Sequence, residues 1–136
     1  MPQPYEWAVL RVVPRVDRAE FVNAGVVLYS HADDFLGARI ALPADRARAL
    51  DPGLDLDLVR RHLEAIAALC AGDASLAPNA NRPAGERFRW LVAPRSTVVQ
   101  PSRVHTGLTS DPAVELDRLM GQLVAPPGRH QGAGEN

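Results

Sequence analysis

Two apolar, β-branched runs, Gly25 to Tyr29 and Phe35 to Leu42, are separated by little more than the polar turn His31-Ala32-Asp33-Asp34. A connection that short favours antiparallel neighbours, so the two runs are expected to form a hairpin. Upstream, Tyr5 to Val13 (YEWAVLRVV) alternates imperfectly, as a strand buried on much of both faces should, and Pro14 ends it. Asp17 with Glu20 three residues later has the spacing of a capping box, predicting a helix of a turn or two. Asn23-Ala24-Gly25 reads as the turn that stops this helix and leads into the second strand, and Gly37 as a bulge.

The second half supplies the helices. From Asp55 to Ala71 the apolar positions Leu56, Val59, Leu63, Ile66 and Cys70 are spaced three, four, three, four, which places them on one helical face with Arg60, Arg61 and Glu64 turned away; Gly72 is the expected stop. Pro43 to Leu50 is short enough for a helical turn, and residues 73–86 read as a long surface loop. Phe88 to Val92 reads as a strand with Phe88 and Trp90 inward and Arg87 and Arg89 outward, and Val98-Val99 as a short extended piece bounded by Pro94 and Pro101. Asp111 as N-cap and Pro112 at the first helical position open a last helix with Leu116, Leu119, Met120 and Leu123 toward the core. The order implies an α+β fold: one domain over residues 1–125, a mainly antiparallel sheet of about four to five strands with the two longer helices packed on one face, and a disordered tail over 126–136.

Composition narrows the chemistry. The 136 residues carry a net charge of -1, so any electrostatic recognition must be local. Every basic residue is an arginine, which excludes a phosphate-loop or Schiff-base lysine. Cys70 is the only cysteine, so there is no internal disulfide and no cysteine-rich zinc site. The beginning, MPQPYEWAVLRVV, has no charged leader with a long apolar run, and the expectation is a soluble protein of the cytoplasm.

One window stands apart. Between Arg82 and Gly107, five arginines (Arg82, Arg87, Arg89, Arg95, Arg103) face one acid, Glu86, a local charge of +4. Arginine presents a planar fork of donors suited to phosphate or carboxylate oxygens, so Arg89, Arg95 and Arg103, with Arg11 and Arg15 flanking the first strand, are the candidate binding residues. Arg95-Ser96-Thr97 adds two hydroxyls that could hold an anion, and His105-Thr106 adds a side chain able to transfer protons near neutral pH. Each has a plainer explanation as a solvated strand face, a turn or a structural histidine. The His31, Asp33, Asp34 cluster is better explained as a turn than as a metal site, and no metal or cofactor is expected.

The segments RVVPRVDRAEFVNAGVVLYS, FLGARI and RFRWLVAPRSTVVQPSRVHTGLTSDP resemble the bacterial family called domain of unknown function 3037, with the resemblance running from about Tyr5 to Val124. It implies a small single-domain bacterial protein without an established activity, and a partner role with a HipA-like kinase. The residues and the resemblance together point to a non-catalytic binding or accessory protein whose arginine-rich face contacts a protein or a small anion. The alternative is a small enzyme acting on a phosphate-containing substrate, with Arg95, Ser96 and Thr97 as anion site and His105 as acid or base. Net acidity and few aromatics argue against nucleic-acid binding.

Overall fold

The computed structural model describes residues 1–125. The expected disordered tail, 126–136, lies outside them. Five strands form one antiparallel sheet: β1 (Gln3–Val12), β2 (Val22–Ser30), β3 (Phe35–Ile40), β4 (Val99–Pro101) and β5 (His105–Thr109). β3 pairs with β2 and β2 with β1. The other edge of β1 is shared: β4 pairs with Leu10 to Val12, and β5 with Gln3 to Trp7. Four helices complete the domain: α1 (Ala44–Leu50), α2 (Leu56–Ala71), α3 (Ala84–Leu91) and α4 (Pro112–Leu123).

The α+β class and the antiparallel sheet are as the sequence implies; the placement of the helices is not. α2 and α4 lie on opposite faces. Ala8, Leu10, Val12, Val27 and Tyr29 bury against Val59 and Leu63 of α2 and Phe88 and Leu91 of α3. Tyr5, Val26 and Leu28 bury against Leu116 and Leu119 of α4. The reason is visible in β1 and β2, which are apolar at consecutive positions and so need cover on both sides. One irregularity adjusts the pattern: Leu10 pairs with Gly25 and Arg11 with Asn23, leaving Ala24 as the extra residue of a bulge. Past it, Ala24 and Val22 join the core of Val27 and Tyr29.

α2 and α4 are capped as expected. The Asp55 carboxylate accepts from Leu58 N at 3.1 Å and the Asp111 carboxylate from Val114 N at 3.2 Å, while Gly72 takes the left-handed conformation at φ 79°. Four local expectations fail. Phe88 to Val92 is not a strand but the end of α3: Phe88 and Leu91, three apart, are buried, and Trp90 is 40% exposed. Alternation over five residues is too short to separate a period of 2 from 3.6, and Pro83 starts a helical turn instead. The capping box does not form. Val16–Arg18 is a single 3-10 turn without a side-chain cap, ended by Ala19 at φ 57°, because Glu20 pairs with Arg18 (2.6 Å) instead of reaching back. Asn23 and Gly25 are extended residues of β2, not a turn; Gly25 is needed because a Cβ there would lie 2.6 Å from the Arg39 carbonyl oxygen. Gly37 sits in unbroken register rather than a bulge, with Phe35 and Leu116 filling the space a side chain would take.

Candidate binding site

Most of the arginine cluster is already occupied. Arg82 pairs with Glu86 at 2.9 Å. Arg87 donates to the carbonyls of Leu69 and Arg82, both at 2.7 Å, tying α3 to the end of α2. Arg89 forms a bidentate pair with Glu6 at 2.9 and 2.6 Å. Arg95 folds back onto the C-terminal end of α3, donating to the carbonyls of Trp90 and, at 3.3 Å, Ala93; cations favour that end of a helix dipole. Arg103 is exposed and forms no ion pair among the described residues. Arg15 approaches Asp17 at 3.8 Å, and Arg11 lies 4.2 Å over the Phe21 ring. Its Nε is buried without a hydrogen bond, beside a pocket of about 270 Å³ lined also by Gln100 and Pro101.

The remaining sequence candidates separate. His105 belongs to β5, not to a turn, and stacks on Trp7 with ring centroids 4.4 Å apart. Thr106 is opposite Glu6 and therefore on the other face of the sheet. Ser96 is exposed, and Thr97 Oγ1 donates to Val99 O at 2.8 Å. His105 is opposite Trp7 and Val99 opposite Val12, so His105 and the Arg95 to Thr97 loop are tied to β1 positions roughly 17 Å apart at strand rise. Arg11, Arg89, Arg95 and His105 do not share one concave surface. Neither does the polar turn gather a metal: His31 Nδ1 is 3.1 Å from Tyr29 Oη, Asp33 accepts from Ser30 Oγ at 3.2 Å, and among the described residues no group of three potential ligands converges. Cys70 is buried, and burial pushes its thiol up to about 12, which leaves it unreactive.

What the structure does bring together is a groove of about 280 Å³ between α2 and the segment after α3. Arg61 and His62 line one wall, Arg95 and Thr97 the other, and Ile66 and Val99 the floor. Arg61 also borders an adjoining groove with Glu64, Ala65 and the 69% exposed Leu76. Arg61 has no carboxylate partner among the described residues, since Asp57 one turn before it approaches Arg60 instead, at 3.8 Å. Sequence reasoning passed over Arg61 and His62. They flank the apolar stripe of α2, and only the arrival of residues 95–99 beside them turns that flank into a wall.

Across residues 7–124 the chain matches the family described as Protein of unknown function (DUF3037). The chain belongs to that family. No curated protein and no solved structure matches it. The DUF3037 match spans β1 from Trp7 through α4, so it includes every wall of the groove. Among the described residues no helix is long and apolar enough to cross a membrane.

Proposed function

We propose that this DUF3037 protein is a non-catalytic binding module that takes an acidic segment of a partner protein into the groove between α2 and residues 95–99. The observation that carries the reading is the presence of both Arg61 and Arg95 on the groove, neither paired with a carboxylate among the described residues, over an apolar floor. Arg82, Arg89, Arg39 and Arg118 are by contrast paired with carboxylates. Arginine favours carboxylates, so an acidic side chain in the groove would be drawn to guanidinium groups on both of its walls. The phosphate-processing alternative is less well supported, because His105 stands apart from the Arg95 to Thr97 loop.

The partner to test first is a HipA-like kinase, on the strength of the family resemblance, with a glutamate-rich peptide and inorganic phosphate as chemical probes. Calorimetric titration of the purified kinase into the wild-type chain should give saturable binding. The Arg61→Ala/Arg95→Ala double variant should bind at least tenfold more weakly, with a melting temperature close to wild type. Arg89→Ala, which removes a cation already paired with Glu6, should bind as wild type. Equal affinity of the double variant and wild type for both kinase and peptide would refute the groove reading. Tight binding of phosphate alone would replace the acidic segment with a small anion.

A further inference from the structure

The outer edge of β5 carries an unfilled row of peptide groups. Val9 and Val13 direct theirs toward the β4/β5 side, with Ser102 N donating to Val9 O at 2.8 Å and Val13 N to Val98 O at 2.7 Å. By the alternation of an antiparallel strand, Gln3, Tyr5 and Trp7 point the same way and bond to their partners Thr109, Gly107 and His105. The N–H and C=O groups of Thr106 and Leu108 therefore point outward, and β5 pairs with no other strand among the described residues. The strand HTGLT has no lysine, arginine, acid or proline, the devices that ordinarily protect an edge, and its register with β1 is unbroken. The helices pack mainly over β2 and β3 rather than over β5. Leu108 is 71% exposed.

We propose that β5 pairs antiparallel with β5 of a second copy of this chain, about a two-fold axis through Gly107, joining the two sheets into one. Charge chooses this occupant and this register. Arg103 and Asp111, both exposed, lie four residues on either side of Gly107, each two residues beyond an end of β5. A two-fold axis there brings each Arg103 toward the Asp111 of the other copy, making two intermolecular ion pairs from an arginine with no ion-pair partner among the described residues. Thr106 then faces Leu108 of the second copy, and the outward groups of each residue meet those of the other in four hydrogen bonds. Axes centred on Thr106 or Leu108 also match outward groups, but they misalign the charges. Asp111 keeps its capping bond to Val114 N, since a carboxylate has capacity for both.

Sedimentation equilibrium of the full chain in low salt should show a dimer that weakens as salt is raised. Arg103→Asp, which sets two like-charged pairs across the axis, should weaken dimerisation at least tenfold without moving the thermal midpoint of the diluted monomer. Leu108→Pro, which removes an outward N–H, should abolish it. To read the register, an equimolar mixture of Thr106→Cys and Leu108→Cys chains is oxidised, and disulfides joining 106 to 108 should predominate over 106–106 or 108–108. A monomer at about 100 μM, a dimer indifferent to Arg103→Asp, or a predominance of same-position disulfides would overturn the proposal. None of these outcomes bears on the groove, which lies against α2.

Discussion

Ser102 decides whether the unusual stretch between Pro94 and Gly107 is there for the fold or for something outside it. It sits in the gap between β4 and β5, 4% exposed, where no residue continues the ladder with β1. Its own N–H donates to Val9 O, and its hydroxyl replaces the missing backbone acceptor, taking the Val9 N–H at 2.8 Å and donating to Arg103 O at 2.8 Å. Ser102→Ala leaves a buried N–H without an acceptor, at a cost of about 1–3 kcal/mol. For a domain of this size, a midpoint loss near 2 kcal/mol corresponds to a fall of roughly 6–12 °C in melting temperature. Thermal unfolding by circular dichroism, with urea titration at 25 °C alongside, measures both quantities. Ser102→Thr keeps the oxygen and should lose less than Ser102→Ala. An alanine variant within about 0.5 kcal/mol of wild type would refute the account, because it would mean that Val9 N finds another partner or that water enters the gap.

The Tyr5 hydroxyl donates to Glu115 at 2.5 Å, and burial together with that carboxylate pushes its pKa up to about 12. A tyrosine that holds its proton more tightly folded than unfolded contributes fully below pH 10 and loses that contribution as pH rises from 10 toward 12. Denaturation midpoints across that window should fall for wild type and fall less for Tyr5→Phe; identical slopes would remove Tyr5 from the account. Glu115 is held below the usual carboxylate range, first by its hydrogen bond from Arg118, so its contribution is present above the ordinary glutamate value and lost in acid. In α3, Phe88→Ala removes a fully buried ring and should cost about 3–5 kcal/mol, while Trp90→Ala, at a position 40% exposed, should cost clearly less. Equal losses in urea titrations would favour the inward Trp90 of a strand.

The elements that were legible in the sequence are those with long periods or unambiguous punctuation. α2 has five apolar positions in register with a cap at each end, and α4 has Asp111-Pro112; both could be placed to within a residue. α3 could not, because RFRWL satisfies two periodicities at once and only burial of Phe88 beside Tyr29, with ring centroids 5.5 Å apart, separates them. β5 was missed because HTGLT owes its place to pairing with β1 rather than to any apolar pattern of its own. For the site, Arg95 and Thr97 were visible as residues suited to an anion. Arg61 and His62 were not, since their role depends on a tertiary neighbour. The +4 window also overstated the free charge, because Glu6, which neutralises Arg89, is far away in sequence.

The shared edge of β1 has a consequence for how the chain reaches this structure. β1 is made well before its partners on this side, so Gln3 waits for Thr109 and Trp7 for His105. At translation rates of about 5–20 residues per second, that wait lasts on the order of 5–20 s. During it, β2 and β3 can already have closed over one side of β1 through the local hairpin, while the other side stays open. Pairings so distant in sequence are slow to close. Residues 99–109 therefore zip onto β1 late, followed in the chain only by the docking of α4 among the described elements, and until then the nascent chain is exposed to wrong partners along that same line.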